Sequence, residues 1–183
     1  AYGTPLGTLE VDKAALSELA LHLDIPITPV LADREHSLEI ELPFLQRALA
    51  GDFKLLPVMI HAQEATVARK LGIALAQVLR GKSALLVAST DLSHFHDQLT
   101  AERFDREMLR RFESFDPESI FEAEQTGKGF ACGYAAVAAV LWAARELGGT
   151  KVKILYHATS GDAAGDYSSV VGYGAAGGLK EFF

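Results

Sequence analysis

Short apolar runs alternate with longer amphipathic segments along this chain of 183 residues. Apolar runs bounded by polar turn residues predict strands, which we place at residues 53–60, 83–88, 152–156 and 170–174. Apolar positions with a helical period predict helices at residues 12–22, 34–50, 64–79, 100–112 and 133–147, with a further one starting at Asp116-Pro117. Such alternation is typical of α/β folds. We predict a single α/β domain over residues 1–183, with a central sheet flanked by helices.

Local capping and breaking residues refine these boundaries. Asp12 is a good N-cap for the first helix, and Arg80-Gly81 closes the helix that ends at residue 79. The prolines within residues 25–30 make that segment an edge or a connection rather than a central strand. Pro43 lies inside the helix predicted over 34–50, so it predicts either a kink or the true start of that helix.

Composition and charge narrow the class of protein. Hydrophobic residues make up 49% of the chain, which is enough for a buried core and argues against disorder. With 24 acidic and 17 basic residues the formal net charge is −7, so we expect neither nucleic acid nor an anionic membrane as partner. The single cysteine excludes an intramolecular disulfide and favours a reducing cytoplasm. No apolar run is long enough for a membrane span, and the first residues, AYGTPLGTLEVDK, do not have the basic and apolar regions of a signal peptide.

The segment LVASTDLSHFHD, residues 86–97, holds the densest set of candidate catalytic side chains. It leads from a predicted strand into a polar loop, and α/β proteins bind ligands beyond the carboxyl ends of their strands. The loop holds Asp91, Ser93, His94, His96 and Asp97, and its two histidines with its two acids could supply acid–base chemistry, because imidazole exchanges protons near neutral pH. The alternative is that Asp91 and Ser93 cap the loop while the histidines face solvent.

A second cluster, REHSLEIE, covers residues 34–41. On a helix, His36 and Glu39 share one face, a spacing that suits a metal or a histidine–carboxylate pair. Acidic residues also collect at helix N-termini, so a capping function is the simpler explanation.

Two further segments carry candidate residues. Cys132 precedes a predicted buried helix, where a thiol is a better nucleophile and metal ligand; a small buried residue is the alternative. The loop at 159–174 contains Gly161, Asp162 and Asp166 but no basic residue, which argues against a phosphate cradle. We interpret the remaining histidines as structural: His22, His61 and His157.

Four stretches in this order resemble the Memo family, known in bacteria and archaea as AmmeMemoRadiSam system protein B. They are AYGTPLGTLEVD, REHSLEIELPFLQ, ASTDLSHFHD, and FACGYAA with TSGDAAGDYSSVVGYGA. The resemblance covers essentially the whole chain. It implies the fold of the class III extradiol dioxygenases, which are non-haem iron enzymes, and a pocket similar to theirs.

The resemblance also implies roles for individual residues. Cys132 corresponds to a metal ligand, His94 beside Asp91 to an acid–base group, and His36 to a residue lining the same pocket. We expect Ser93, His96 and Asp162 to line that pocket too. A thiolate with imidazoles suits Fe(II) or Cu(I), ahead of Zn(II).

The two histidines that complete the family's metal site belong to a region that usually precedes the AYGTPLG segment. We therefore expect these residues to be a portion of a longer protein, or to need an oligomeric partner. We also expect the chain alone not to bind a metal tightly.

Three functions follow from these observations. The first is a metal-dependent oxidoreductase, with His36, His94 and Cys132 opening on one cavity. The second is a non-catalytic binding module that keeps the pocket for a peptide, a metal or a small molecule. The third is a hydrolase that uses Ser93 or Cys132 with His94; it ranks last because no G-x-S-x-G elbow is present.

Overall fold

The computed structural model describes residues 1–30 and 35–179. They divide between residues 61 and 62 into two compact units, called unit 1 and unit 2. Helices and strands are both present, so the predicted α/β class is confirmed. Unit 1 contains β1 (Tyr2–Thr4), β2 (Gly7–Leu9), α1 (Lys13–His22) and α2 (Leu42–Ala48). Unit 2 contains α3 (Ala65–Leu79), β3 (His94–His96), α4 (Gln98–Glu113), α5 (Pro117–Gln125), α6 (Tyr134–Glu146), β4 (Lys151–Thr159), α7 (Ser160–Ala164) and β5 (Val170–Leu179).

Unit 1 begins with a hairpin that the sequence analysis did not predict. Strands β1 and β2 pair antiparallel, with Tyr2 opposite Leu9. The Asp12 carboxylate accepts a hydrogen bond from the Ala15 N–H at 2.9 Å and caps α1 as predicted. The small core of this unit consists of Leu9, Leu42 and Leu55, against which Tyr2, Leu38 and Phe53 pack.

Unit 2 holds the larger core. Helices α3 and α6 pack closely, because Gly72 lets the backbone of α6 approach: a Cβ at this position would lie 2.5 Å from the Ala139 carbonyl oxygen. Strands β3, β5 and β4 form an antiparallel sheet in that order. Helix α4 packs against β4 and β5 and buries Ala101, Asp105, Met108, Leu109 and Phe112.

The predicted strand at residues 83–88 is wrong. The segment runs without strand pairing, and Leu85 and Val87 are 61% and 47% exposed. Apolar composition gives strand propensity, but a strand also needs a neighbour to take its backbone hydrogen bonds. Within the described residues no strand pairs with this segment.

The strand predicted at residues 53–60 is also wrong, apart from one isolated parallel bridge between Leu55 and Val11. Pro57 lacks an N–H and cannot donate to a ladder, which accounts for the interruption. The sheet of unit 2 is therefore built from β3, β4 and β5 rather than from four apolar runs. The later predicted strands, 152–156 and 170–174, lie inside β4 and β5.

The helix predicted over 34–50 is reduced to α2, and Pro43 lies in its first turn. Proline is favoured there because the first N–H groups of a helix have no partner within the helix. Pro43 therefore marks the true start of the helix rather than a kink. Residues 37–41 form turns, and Arg34 lies outside the described residues. The other predicted helices are confirmed within a few residues.

No helix in the described part of the chain combines the length and apolarity that crossing a membrane requires.

Candidate functional site

Three potential metal ligands of unit 2 lie together. One ligand atom from each of Asp91, His94 and Cys132 lies within 4.8 Å of the other two. His94 lies on β3, Asp91 on the loop before it, and Cys132 on the turn that leads into α6. Residues 41 positions apart thus meet at one point, although the chain between them includes α4 and α5.

Hydrogen bonds link the loop that contains Asp91 to the turn that contains Cys132. The Asp91 N–H donates to Cys132 Sγ at 3.1 Å, and the Cys132 N–H donates to the Asp91 carbonyl at 3.1 Å. The Gly133 N–H donates to Thr90 Oγ1 at 2.8 Å, and that hydroxyl donates to the Asp91 carbonyl at 2.8 Å. A peptide N–H aimed at sulfur is the kind of outer contact that orients a ligating thiolate.

Gly133 permits this close approach. A Cβ at this position would lie 2.5 Å from the Ser89 carbonyl oxygen and 2.9 Å from Thr90 Cβ. The first of these contacts is with backbone, which cannot rotate away. Cys132 is therefore the potential ligand, and Gly133 after it lets the turn lie close enough to Ser89 and Thr90 to place that ligand.

The His94 ring leaves one nitrogen without a partner. Nε2 is buried and makes no hydrogen bond, and Asp91 Oδ2 lies 3.5 Å from it. The imidazole and the carboxylate as wholes remain accessible, with side chains 36% and 46% exposed. Buried polar atoms in proteins are nearly always satisfied, so an orphaned imidazole nitrogen next to a carboxylate and a thiol favours an additional ligand.

The short strand β3 turns both of its histidines into one cavity. The pairing with β5 shifts register between His94 and His96, and Phe95 between them has φ 63°. The His96 ring lies 5.1 Å from the Phe104 ring and 6.3 Å from the Phe130 ring, centroid to centroid. Aromatic packing therefore fixes His96 while His94 stays close to the thiol.

The cavity of about 340 Å³ is lined by nine residues of unit 2: Gln63, Leu92, His94, His96, Glu124, Phe130, Ala131, Cys132 and Tyr134. Its acidic wall was not predicted. Glu124 accepts a hydrogen bond from the Ala131 N–H at 3.3 Å, and burial raises the pKa of its carboxyl. Burial, and secondarily the charge of Glu124, raises the pKa of Tyr134, whose hydroxyl donates to the Gln63 carbonyl at 3.1 Å.

Other predicted pocket residues lie elsewhere. Ser93 is fully buried, and its hydroxyl donates to the Ala101 carbonyl at 3.5 Å, so the structure does not bring it to the cavity. Asp162 accepts a hydrogen bond from the Thr159 N–H at 2.7 Å in the capping box of α7. His36 belongs to unit 1, where its Nδ1 atom lies 3.1 Å from Glu39 Oε2 and its side chain is 79% exposed. Its predicted convergence with His94 and Cys132 stays a prediction.

A second histidine–aspartate pair lies under the sheet of unit 2. His157 Nε2 is 2.9 Å from Asp105 Oδ2, and Asp105 is fully buried. The other carboxylate oxygen accepts the Ser93 N–H at 2.9 Å. The structural interpretation of His157 agrees with this environment, and Gly172 leaves the space that the carboxylate fills.

Comparisons with known proteins agree with the sequence resemblance. A family described as Memo-like protein matches residues 1–177. A MEMO1 family protein of Nitrosopumilus maritimus is 37% identical over 175 residues, which cover 95% of this chain and 64% of that protein. One of Methanothermobacter thermautotrophicus is 38% identical over 179 residues, covering 94% and 63%, and one of Methanosarcina acetivorans is 35% identical over 176, covering 95% and 66%.

The chain spans slightly less than two thirds of the length of these relatives. The match nevertheless extends over nearly all of the chain itself, from the first hairpin to β5. The motifs that line the cavity, around His94 and Cys132, lie within the matched residues. The chain therefore belongs to the Memo-like family.

Proposed function

We propose that unit 2 carries a transition-metal site with oxidoreductase function, in which Cys132, His94 and Asp91 are ligands supplied by this chain. The observation that carries the proposal is the convergence of three ligand atoms within 4.8 Å around an imidazole nitrogen that has no hydrogen-bond partner. Open catalytic metal sites commonly use three protein ligands and keep a further position for a substrate or water.

The chemistry of the donors favours Fe(II) or Cu(I) ahead of Zn(II). A thiolate is a soft ligand and an imidazole an intermediate one, whereas Mg²⁺ and Ca²⁺ prefer oxygen. Such an ion would supply one-electron chemistry or activation of a bound substrate. The similarity of the Memo family to the class III extradiol dioxygenases supports a redox function over a purely structural metal.

This proposal changes the role of His94 that the resemblance implies. If Nε2 binds the metal, the ring is not free to transfer a proton, and another group of the cavity has to do so. Glu124 is the candidate for this step, because it lines the cavity and burial raises the pKa of its carboxyl. The aromatic side chains of His96 and Phe130 line the same cavity beside the proposed ligands.

The whole protein is expected to contribute more than this chain. Since the relatives are longer, we propose that further ligands, including the two histidines implied by the resemblance, complete the site and raise metal affinity. We place the protein in the cytoplasm, where a single accessible thiol stays reduced. The serine form of the hydrolase alternative loses support because Ser93 is fully buried. Its cysteine form, Cys132 with His94, uses the same residues as the metal site proposed here.

Anaerobic calorimetry with Fe(II), Cu(I) and Zn(II) tests the proposal on the native chain and on Cys132→Ala, His94→Ala and His22→Ala. We expect measurable binding that weakens about 100-fold on loss of either ligand, while the exposed control His22→Ala leaves it unchanged. Submicromolar binding that survives Cys132→Ala would show that the site lies elsewhere. If the native chain and its full-length form both fail to bind any of the three ions, the binding-module alternative replaces this proposal.

A further inference from the structure

A second hollow of unit 2, about 660 Å³ in volume, has a markedly basic lining. One face of α4 provides Arg103, Arg106, Arg110 and Arg111, and the turn between α5 and α6 provides Lys128. The formal charge of the whole chain is −7, so this groove reverses the average charge of the molecule. Such a concentration of one sign attracts counter-charged ligands.

Two of the five cations are neutralised within the fold. Glu107 accepts hydrogen bonds from Arg110 Nη2 and from Arg111 Nε, each at 2.7 Å. Arg111 Nη1 also donates to Glu122 Oε2 at 2.8 Å. Hydrogen bonds from Arg110 and Arg111 lower the pKa of Glu107 to about 2, so the carboxylate stays charged. Two cations and two carboxylates thus balance one another.

The other three cations have no carboxylate within ion-pair distance among the described residues. They are Arg103, Arg106 and Lys128, and all three side chains belong to exposed residues. The Arg103 guanidinium lies 4.8 Å from the centre of the Phe104 ring, a cation–π contact that holds it at the groove. Arg106 lies one turn from both Arg103 and Arg110, and like charges at this spacing destabilise a helix. Stability therefore does not explain this arrangement.

We propose that this groove binds the phosphate group of a small phosphorylated molecule through Arg103, Arg106 and Lys128. Guanidinium groups match phosphate oxygens with paired N–H donors, and lysine adds a compact positive charge. The Phe104 ring, which also lines the groove, provides an apolar surface for the organic part of the ligand. The groove shares no lining residue with the cavity that contains His94 and Cys132.

Calorimetric titration tests the proposal with inorganic phosphate, pyrophosphate and glycerol 3-phosphate, in a buffer that contains a chelator so that no metal ion mediates binding. The proteins are the native chain, Arg106→Ala/Lys128→Ala, Arg103→Ala, and Arg80→Ala as the control for loss of one exposed positive charge outside the groove. Thermal unfolding checks that each variant folds.

We expect saturable binding of at least one phosphorylated ligand, weakened about tenfold or more in the double variant, and unchanged within about twofold in Arg80→Ala. Tighter binding of glycerol 3-phosphate than of inorganic phosphate identifies an ester as the ligand, and the reverse identifies the free ion. The proposal is overturned if no phosphorylated ligand binds, or if Arg80→Ala weakens binding as much as the double variant, since the effect would then reflect net charge alone.

Discussion

Unit 2 contains two histidine–aspartate pairs with opposite properties. In the His157–Asp105 pair the nitrogen–oxygen distance is 2.9 Å, the carboxylate is fully buried, and its second oxygen accepts a backbone N–H. In the His94–Asp91 pair the distance is 3.5 Å, both side chains are partly exposed, and the histidine nitrogen lacks a hydrogen bond. The first pair is satisfied by the fold, whereas the second is not.

The comparison distinguishes a pair that the fold satisfies from the pair proposed to bind a metal, and it does so by hydrogen bonding rather than by residue type. A buried and fully bonded carboxylate stabilises the arrangement around it, and its loss leaves partners unsatisfied. An accessible pair with an unused nitrogen gains nothing comparable from the fold, so its geometry suits an external ligand. Four changes would break or sharpen this distinction, from the largest expected effect to the smallest.

Asp105→Ala should lower the free energy of unfolding by about 3–5 kcal/mol, because it leaves His157 and the Ser93 N–H without their buried acceptor. The matched change Asp91→Ala removes an accessible carboxylate and should cost less than about 1 kcal/mol. Urea unfolding monitored by circular dichroism measures both. Equal losses in the two variants would show that the pairs do not differ in structural role.

Gly133→Ala should lower stability by about 1–3 kcal/mol, because the added Cβ has to displace the backbone at Ser89. The same displacement moves Cys132 from Asp91 and should weaken metal binding more than tenfold. Gly178→Ala is the control, since a Cβ there meets no atom within 4 Å. Unchanged metal affinity in Gly133→Ala would mean that the Cys132 turn does not position a ligand.

Glu124→Gln tests the acidic wall of the cavity through pH. Burial raises the folded-state pKa of Glu124 above 4.5, so the unfolded chain releases this proton at lower pH than the folded chain does. The native protein therefore loses stability from this group as pH rises from 4.5 through the raised pKa. The glutamine variant keeps a carbonyl acceptor for the Ala131 N–H but does not titrate.

Stability curves of the native chain and Glu124→Gln, measured by urea unfolding at several pH values, should diverge in favour of the variant as pH rises. Glu118→Gln, which removes an exposed carboxylate of the same helix, is the control for the loss of one negative charge. Parallel curves for Glu124→Gln and the native chain would contradict the raised pKa.

His36→Ala should change stability by less than about 0.5 kcal/mol, because the His36–Glu39 contact is an exposed pair one turn apart. This third histidine–carboxylate pair lies in unit 1, and its nitrogen–oxygen distance is short at 3.1 Å. It therefore tests whether exposure or distance decides how much such a pair contributes to stability. Chemical unfolding gives the answer, and a loss near that of Asp105→Ala would mean that distance decides.

Helices were largely predictable because their signals are local. Asp12 caps α1, Pro43 lies in the first turn of α2, and Pro117 starts α5 as the sequence indicates. The strand predicted at 83–88 failed for the opposite reason: pairing depends on a distant partner, which composition within the segment cannot reveal. The bulged strand β3 was missed because it is only three residues long.

The site was predictable in part. The polar segment after residue 88 indicated Asp91 and His94 through its position, and the resemblance indicated Cys132. Glu124 carries no local signal, since it lies on α5 and its place in the cavity depends on how α5 packs against the segment that contains Ala131. Asp105 could have been found, because it falls on the apolar stripe of α4 with Ala101, Met108 and Phe112, where a charged side chain has to be paired.

Phe95 gives the site a consequence for protein engineering. Its phenyl ring is 78% exposed, and its backbone adopts a left-handed conformation, φ 63°, that costs a non-glycine residue about 1–3 kcal/mol. This strain lies between the two histidines that line the cavity. Selection for thermal tolerance alone would therefore favour glycine or asparagine at position 95, and the relaxed strand β3 would hold His94 less firmly. Screens for thermally more stable variants should therefore leave Phe95 unchanged.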